Sequence, residues 1–261
     1  MANADCVIIQ GSNMAECHPV GFQWVSEAKA RGARIIHVDP RFTRTSAIAD
    51  THVPLRAGTD VVLLGALINH VLTNDLYFHD YVVAYTNAAT LISDEFRDPD
   101  DLDGLFSGFD DSTGTYGQST WQYAEDENGP LRDETLQDPR TVFQVLKRHY
   151  ARYTAEMVSQ MCGIAEVEFE YLARALADNS GPERTGCFGY ATGWTQHTMG
   201  AQVIRTASVL QLLLGNVGRP GGGIMALRGH ASIQGCTDIP TLFDLLPGYL
   251  PMPSVGKHET F

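Results

Sequence analysis

Cys6-Val-Ile-Ile9 is a continuous apolar run that ends in the polar turn Gln10-Gly-Ser-Asn13. Such a run predicts a strand covered on both faces, as strands of parallel sheets are. A helix is expected from about Pro19 to Arg31, and a second apolar run follows at Ile35-Ile-His-Val38. Strand, helix and strand at this spacing predict a right-handed βαβ unit with a parallel pair. The fold class is therefore α/β, with a Rossmann-like parallel sheet flanked by helices and an irregular acidic insertion.

Composition divides the chain into three stretches. Residues 1–93 are expected to form the first part of a Rossmann-like cofactor-binding domain, and residues 94–140 an acidic surface insertion with little regular structure. Residues 141–261 are expected to contain helices, a further strand at Cys187-Phe-Gly-Tyr190, and a glycine-rich cofactor or substrate loop from Val217 to Gln234.

Periodic apolar residues predict the buried faces of the helices. These residues are Phe22, Val25 and Ala28 in the first helix, Val61, Leu64, Ile68 and Val71 in the helix after Asp60, and Val167, Tyr171, Leu172 and Leu176 in the helix after Ala165. A long apolar helix from about Gly200 to Leu214 carries Arg205, which we expect to be a structural ion-pair member.

Charge and hydropathy argue against nucleic-acid binding and against a membrane span within this chain. The formal net charge of -13 at pH 7 argues against nucleic acid, since that affinity depends on Lys and Arg neutralising phosphates. No stretch supplies the roughly 18 consecutive apolar residues of a membrane span, and the first residues lack the pattern of a secretory signal. Any export signal is therefore expected outside this chain.

The cysteines do not predict a metal site. No two have the paired spacing of zinc or iron-sulfur ligands, so each is expected to be a small buried residue. They are Cys6, Cys17, Cys162, Cys187 and Cys236.

Three polar turns follow the predicted strands, where ligands of open parallel sheets collect. They are Gly11-Ser12-Asn13, Asp39-Pro40-Arg41 and Ala191-Thr192-Gly193. The first either receives a phosphate or pterin amide on its backbone N–H groups or is only a tight connection, since it is no G-x-G-x-x-G fingerprint. Asp39 either accepts hydrogen bonds from a ribose or guanine, with Arg41 meeting a phosphate, or forms an ion pair with Arg41 or Arg44.

Two further motifs have both a binding and a structural interpretation. Gly58-Thr59-Asp60 either belongs to the ligand site or only caps the following helix. Thr192-Gly-Trp-Thr-Gln196 suits a polar heterocycle, although Trp194 alternatively fills the core.

The last loop combines a guanidinium and an imidazole on glycine-flanked backbone. Arg228 offers a fork of donors that matches a carboxylate, and the alternative is a solvated surface residue. Gly229 allows close approach to a ligand, and His230 has the pKa range of a proton-handling group or is satisfied structurally.

Taken together, these segments resemble the molybdenum/tungsten bis-pterin oxidoreductases, specifically the large subunit of respiratory formate dehydrogenases of the formate dehydrogenase-N type. The resemblance runs in family order over nearly the whole chain, including the acidic insertion. The segments that carry it are Gly11-Ser-Asn-Met-Ala-Glu-Cys-His-Pro-Val-Gly-Phe22, Asp39-Pro-Arg-Phe-Thr-Arg44, Gly193-Trp-Thr-Gln-His197, Ile204-Arg-Thr206, Gln211-Leu-Leu-Leu-Gly-Asn216, Gly221-Gly-Gly223, Ala226-Leu-Arg-Gly-His230 and Leu246-Pro-Gly-Tyr249.

The resemblance implies oxidation of formate to carbon dioxide at a bis-(molybdopterin guanine dinucleotide) centre that holds molybdenum or tungsten. Arg228 matches the family arginine that holds the formate carboxylate. The positions that match cofactor-binding residues are Asn13, Glu16, Cys17, Asp39, Arg41, Gly58, Asp60, Thr192, Gly193, Gln196, Gly229 and His230.

The chain departs from the family in what it lacks. The family's N-terminal cysteine set for a [4Fe-4S] cluster and its metal-ligating selenocysteine or cysteine before histidine are absent, because the single Cys17-His18 pair belongs to the cradle motif. We expect an internal fragment that begins downstream of a selenocysteine codon read as stop, holds no metal ligand, and is catalytically incompetent alone; the [4Fe-4S] cluster is then expected in the full-length protein only.

The resemblance also implies partners and a location. The partners are formate and an iron-sulfur electron-transfer subunit, with or without a membrane cytochrome subunit. The location is the periplasmic side of the cell envelope, with the cytoplasm as the alternative. Competing functions are another bis-pterin oxidoreductase, for nitrate or a sulfur oxyanion, and a non-catalytic nucleotide-binding module; a nicotinamide dehydrogenase is less favoured because the glycine fingerprint is absent.

Overall fold

A computed structural model describes residues 1–229, 245–246 and 250–257 of the chain. Its centre is a five-stranded parallel sheet, which confirms the predicted fold class. The strands are β1 (Cys6–Gln10), β2 (Arg34–Val38), β3 (Thr51–Val53), β8 (Gly186–Tyr190) and β9 (Gly223–Ala226), and their order in the sheet is β3-β2-β1-β8-β9. Every residue of β1 is buried, because β1 lies between β2 and β8 and both faces of the sheet are covered.

Helices cover the two faces of the sheet unequally. The helices are α1 (Met14–Cys17), α2 (Pro19–Ala30), α3 (Arg44–Ile48), α4 (Asp60–Thr73), α5 (His79–Tyr85), α6 (Val142–Tyr150), α7 (Ala155–Met157) continued by a π-helical turn (Val158–Cys162), α8 (Glu166–Ala177), α9 (Thr192–Thr195) and α10 (Gly200–Leu213). One face is covered by α2, whose predicted inward residues Phe22, Val25 and Ala28 are all buried. The other face is covered mainly by α4, α8 and α10. None of the helices in the described ranges is long and apolar enough to cross a bilayer.

The glycine-rich loop contains a strand that the sequence did not predict. Strand β9 pairs in parallel with β8, from Cys187 opposite Gly223 to Tyr190 opposite Ala226. Its apolar run, Ile224 to Leu227, directly follows three consecutive glycines, which are typical of a loop, so the sequence did not reveal the strand. A Cβ on Gly222 would lie 2.1 Å from the Asn216 carbonyl oxygen, so this glycine is needed for backbone approach. As a result, Arg228 follows almost directly from the end of the sheet.

The acidic insertion has limited regular structure and is tied to the body of the protein. It contains two short antiparallel hairpins and two 3-10 turns. Arg148 Nε lies 2.9 Å from Asp98 Oδ2, and Arg152 Nη2 lies 3.1 Å from Asp100 Oδ1. The hairpin strands are β4 (Phe109–Asp110), β5 (Thr115–Tyr116), β6 (Glu125–Asp126) and β7 (Gly129–Pro130), the 3-10 turns are Pro99–Leu102 and Gln118–Thr120, and β10 (Leu245–Leu246) pairs with β11 (Leu250–Pro251) near the end of the chain.

The predicted inward face of α8 was wrong at two positions. Val167 is 72% exposed and Tyr171 40% exposed, whereas the predicted Leu172 and Leu176 are buried. The buried line also includes Phe169 and Ala173, so it follows the helical spacing from Phe169 rather than from Val167.

The expectation for Cys17 was wrong, and the expectation for Arg205 finds no support among the described residues. Arg205 is exposed and forms no ion pair within the described part of the chain. Cys17 is exposed, unlike Cys6, Cys162 and Cys187, which are buried as expected. Burial raises the pKa of Cys187 to about 12, so that thiol is a packing residue. Cys236 lies outside the described residues.

Candidate cofactor-binding edge

The turns that follow β1 and β8 touch each other through their backbones. The Gly193 N–H donates to the Gly11 carbonyl oxygen at 3.0 Å. A Cβ on Gly193 would lie 2.5 Å from Gly11 Cα, and Gly11 itself has φ +67°. Both positions therefore require glycine, and the first and third predicted turns form one continuous edge.

The second turn joins this edge through buried His37, the fourth residue of β2. Its Nδ1 lies 2.7 Å from Ser46 Oγ, and its Nε2 lies 3.1 Å from the Ser12 carbonyl oxygen. Burial lowers the pKa of His37, so the ring is neutral and acts as a structural bridge. His52 adds a contact from β3 to the Asp39 carbonyl oxygen at 2.8 Å.

The predicted residues Asn13 and Glu16 form a small polar cluster behind the first turn. Asn13 Nδ2 donates to Glu16 Oε2 at 2.5 Å, and Asn13 Oδ1 accepts from Thr45 Oγ1 at 2.9 Å. Glu16 also lies 3.5 Å from Arg44 Nε. Cys17 follows on the exposed side of α1.

Asp39 makes a turn rather than the alternative ion pair. Its Oδ1 accepts from the Arg41 backbone N–H at 2.9 Å. Neither Arg41 nor Arg44 pairs with Asp39 in the described structure, since Arg44 turns to Glu16. The Arg41 side chain is exposed and has no partner among the described residues, so it is free to meet a ligand.

Asp60 is a buried carboxyl beneath the same edge. Gln10 Nε2 donates to Asp60 Oδ1 at 2.7 Å. Burial raises the pKa of Asp60, and the hydrogen bond from the Gln10 amide partly opposes this rise. The side-chain cap proposed for Thr59 does not form, because its hydroxyl donates to the Arg56 carbonyl oxygen. Gly58 is exposed at φ +87°, two residues before Asp60.

The side chains of the third turn divide between the buried core and the exposed rim of the edge. Trp194 is fully buried and stacks on Tyr190 at a centroid distance of 4.9 Å, so it fills the core as the structural interpretation held. Thr192 and Gln196, by contrast, are exposed at the rim, and their side chains have no partners among the described residues.

Arg228 lies between two cavities at this edge. A cavity of about 180 Å³ brings it together with Thr192 and Gly229. A second cavity, of about 510 Å³, lies between Arg228 and the segment that contains Cys17 and His18. The guanidinium is exposed and has no partner within the described ranges. His230 lies outside the described residues.

Several buried polar atoms at this edge have no hydrogen-bond partner in the described structure. They are Ser12 Oγ, both ring nitrogens of His18, Thr43 Oγ1 and Trp194 Nε1. Buried polar atoms are normally paired, so the edge fits a polar ligand that supplies the missing partners. The sequence analysis did not single out Gln10, Ser12 or His18 individually; the available signal was their position in the polar turn and at the start of α2.

No cluster of three or more metal-ligating side chains occurs among the described residues. The edge consists of backbone turns, one buried carboxyl and the free guanidinium groups of Arg41 and Arg228. This set of groups is suited to holding an extended polar cofactor with phosphates, rather than to ligating a metal directly.

Comparison with known proteins gives consistent results. The model of the Molybdopterin oxidoreductase family matches residues 1–245. The chain is 50% identical over 254 residues to the nitrate-inducible formate dehydrogenase major subunit of Escherichia coli, covering 97% of this chain and 25% of that protein. It is 48% identical over 259 residues to formate dehydrogenase 2 subunit alpha (cytochrome c-553) of Nitratidesulfovibrio vulgaris, covering 99% of this chain and 25% of that protein.

A solved structure shares the fold. Acetylene hydratase from Pelobacter acetylenicus superposes with a TM-score of 0.54 at 20% identity, covering 82% of this chain and 22% of that one. This likeness concerns architecture alone. The chain spans about a quarter of the length of the curated relatives named above.

Proposed function

Because this chain belongs to the molybdopterin oxidoreductase family, we propose that it forms one wall of the cofactor and substrate site of a formate dehydrogenase, which oxidises formate to carbon dioxide. The observation that carries the proposal is the convergence of the three polar turns on one edge, next to Arg228, whose guanidinium has no partner among the residues that the structure describes. The identity to formate dehydrogenase subunits supports the choice of substrate.

Membership of the family implies a molybdopterin cofactor. We propose the finer form, a bis-(molybdopterin guanine dinucleotide) with molybdenum or tungsten. Asp39 would accept hydrogen bonds from guanine or ribose, and the free Arg41 would meet a phosphate. Further contacts would come from the first and third turns and from the helix start, through Asn13, Glu16, Cys17, Gly58, Asp60, Thr192, Gly193, Gln196, Gly229 and His230.

Arg228 would hold and orient the substrate. A guanidinium presents two parallel donors, which match the two oxygens of formate and fix the direction of its C–H bond. Orientation of this kind lowers the entropic part of the barrier. A bound cofactor would supply the two-electron redox chemistry that formate oxidation needs.

The proposed partners and location rest on the same similarity to formate dehydrogenase subunits. We propose that the complete protein carries a [4Fe-4S] cluster and passes electrons to an iron-sulfur subunit, with or without a membrane cytochrome subunit. We also propose that it works on the periplasmic side of the cell envelope, which cell fractionation of the source organism would test. A signal confined to the cytoplasmic fraction would overturn the location without affecting the proposed reaction.

The test is Arg228→Ala in the complete enzyme that contains this chain. We expect kcat/KM for formate-dependent viologen reduction to fall by roughly 10²- to 10³-fold, with a smaller loss for Arg228→Lys, which keeps the charge but loses the fork. Pterin content, measured by fluorescence after oxidation, should not change. Arg205→Ala is the matched control, since Arg205 is also exposed and free of ion pairs within the described part of the chain.

Two outcomes would contradict this function. Reduction of nitrate or a sulfur oxyanion by reduced viologen, without formate oxidation, would identify another bis-pterin enzyme. Retained pterin with no turnover of any of these substrates would favour a non-catalytic binding module.

A further inference from the structure

The acidic insertion exposes a group of aromatic side chains at its first hairpin. The rings of Phe109 and Tyr116, which are paired residues of β4 and β5, lie 5.0 Å apart, and the Phe106 ring lies 6.0 Å from Tyr116. Trp121 is held beside them, since its Nε1 donates to the Ser107 carbonyl oxygen at 2.7 Å. We call these four aromatic residues the aromatic patch. Phe106 is 61% exposed, Trp121 43% and Tyr116 40%. Contiguous exposed aromatic side chains are typical of protein interfaces.

The backbone and a buried serine hold the aromatic patch in a defined shape. The Gly117 N–H donates to the Gly108 carbonyl oxygen at 2.8 Å, and a Cβ on Gly108 would lie 2.0 Å from the Gly117 carbonyl oxygen. Ser107 is buried, and its Oγ donates to Thr120 Oγ1 at 2.9 Å. The ion pairs described above also tie the insertion to the body of the protein. A surface that is already formed loses little conformational entropy on binding.

The charge around the aromatic patch is almost entirely negative. Residues 94–140 contain 14 acidic residues and 3 arginines, which gives them a net charge of -11 out of the -13 of the whole chain. At the base of the insertion, Asp94, Asp98 and Asp100 are paired with arginines. The carboxylates of the hairpins and of the turn before them are exposed and form no ion pair among the described residues; they are Asp103, Asp110, Asp111, Glu125, Asp126 and Glu127.

This combination of rings and carboxylates selects one kind of partner. Nucleic acids and anionic lipid surfaces carry the same sign of charge and would be repelled. A second copy of the chain would present the same acidic surface and would also be repelled. Lysine and arginine side chains of a protein, in contrast, are attracted by the carboxylates and pack favourably on aromatic faces.

We infer that the aromatic patch docks a separate protein through a basic surface of that protein. The partner's lysine and arginine side chains lie on the rings and pair with the surrounding carboxylates. The carboxylates attract the partner over a distance, and the rings provide most of the free energy of contact. The inference goes beyond the proposed function, because none of the residues of the candidate cofactor-binding edge lies in the insertion.

The first test is carbodiimide cross-linking of the complete enzyme, purified together with the proteins that accompany it. Carbodiimide joins a carboxylate directly to a lysine in contact with it. We expect Asp111 and Glu127 to be joined to lysines of a separate polypeptide, identified by mass spectrometry of the linked peptides. Cross-links only within the same polypeptide, cross-links only to a second copy, or the absence of cross-links from the hairpins would each overturn the inference.

The second test measures rebinding of the cross-linked polypeptide to enzyme variants by surface plasmon resonance. Tyr116→Ser should raise the dissociation constant by about tenfold or more, as expected for an aromatic contact at the centre of an interface. Tyr171→Ser is the matched control, since Tyr171 on α8 is also 40% exposed. The double variant Asp103→Asn, Asp111→Asn keeps every ring, so it tests the surface even if Tyr116→Ser loosens the hairpin. It should slow association at low salt, and its difference from wild type should disappear at about 0.5 M salt.

Unchanged binding in both the aromatic and the carboxamide variants, or an equal loss in Tyr171→Ser, would overturn the inference. Formate-dependent viologen reduction should be the same in all of these variants as in wild type, because a small dye accepts electrons without a docked protein. Failure of the proposed enzyme activity is thus distinguishable from failure of this docking surface.

Discussion

The two ends of the central sheet differ in how completely their buried polar side chains are hydrogen-bonded. At the amino ends of β8 and β9, Gln211 Nε2 donates to the carbonyl oxygens of Gly186 at 3.0 Å and Gly223 at 2.7 Å. Asn216 donates to Gln211 Oε1 at 2.7 Å and accepts from the Gly186 N–H at 3.0 Å. At the carboxyl ends, Ser12 Oγ and the ring nitrogens of His18 have no partner within the described chain.

This difference separates stability from binding. Where the protein provides every partner itself, the polar network fixes the positions of β8 and β9. Where it leaves partners unfilled, the free energy of pairing is available to a ligand. The segment Gln211-Leu-Leu-Leu-Gly-Asn216 therefore has a structural role in this fold, although the resemblance brought it forward together with the cofactor motifs.

The largest loss of stability is expected when the hydrogen-bond network of Gln211 and Asn216 is broken. Gln211→Leu would leave the carbonyl oxygens of Gly186 and Gly223 and one Asn216 N–H without partners, so the free energy of unfolding should fall by about 4 kcal/mol. Urea denaturation followed by circular dichroism measures it. Gln202→Leu on the exposed face of the same helix should change stability by less than about 0.5 kcal/mol. Equal effects in both variants would refute the structural role of the network.

The second-largest loss of stability is expected when the contact between the Gly11 and Gly193 turns is disrupted. In Gly193→Ala the new Cβ would lie 2.5 Å from Gly11 Cα, so one turn must move, at a cost of about 2 to 3 kcal/mol. The same denaturation experiment checks this. Gly229→Ala is the control, since its Cβ meets nothing within 4 Å. A Gly193→Ala protein as stable as the control would show that the turns do not need this contact.

A smaller, pH-dependent effect is expected at Asp60. Its folded pKa is raised above the ordinary 3.8 by burial, so the ionised carboxylate destabilises the folded state at neutral pH, and this penalty is relieved as pH falls through the folded pKa. Asp60→Asn should therefore be more stable than wild type at pH 7 by about 1 kcal/mol, with the difference shrinking toward pH 4. Urea titrations at a series of pH values measure this dependence.

Asp133 provides a control of opposite sign for that experiment. Hydrogen bonds from Thr135 and the backbone lower its pKa to about 2, so its stabilisation is present above pH 3.8 and is lost as pH falls toward the folded pKa. Asp133→Asn should thus be less stable than wild type at neutral pH. If both substitutions changed stability in the same direction, the assignment of Asp60 as a penalised buried carboxyl would be wrong.

The smallest effect should come from Ser12→Ala. Its hydroxyl is buried without a partner in the described chain, so its removal should change the unfolding free energy by no more than about 0.5 kcal/mol. Ser46→Ala is the contrasting variant, because Ser46 Oγ bonds His37 Nδ1 at 2.7 Å and its loss should cost about 1 to 2 kcal/mol. A comparison of melting temperatures checks the pair. A larger loss of stability in Ser12→Ala would show that the Ser12 hydroxyl has a hydrogen-bond partner in the folded protein.

The sequence correctly predicted strands and helix faces that are set by the spacing of apolar residues within one element. The run Cys6-Val-Ile-Ile9 and the apolar period of α2 identify a buried strand and the inner face of its helix, because burial repeats at fixed spacing within each element. Strand β9 gave no such signal, and Phe169 was overlooked in favour of Val167. Both errors concern short or ambiguous apolar periods.

The grouping of the three polar turns at one edge of the sheet was predictable from sequence, but the contacts between them were not. Ligands collect where parallel strands end, so the three turns could be identified from sequence. The contacts Gly11 to Gly193 and Gln10 to Asp60 join residues far apart in the chain, and no local pattern reports such pairs. The unpaired state of His18 likewise depends on everything that surrounds it in the folded protein. The roles predicted for Arg228 and the cofactor-binding residues stay predictions.

The strand order has a consequence for biosynthesis. Strands β1, β2 and β3 are complete once Val53 has been made, but the other edge of β1 is paired by β8, which begins at Gly186. During translation the nascent polypeptide must therefore carry one unpaired edge of Cys6–Gln10 while residues 54–185 are made. The contact between Gly11 and Gly193 arises only afterwards, so the candidate cofactor-binding edge cannot form before β8 and the turn that follows it have been synthesised.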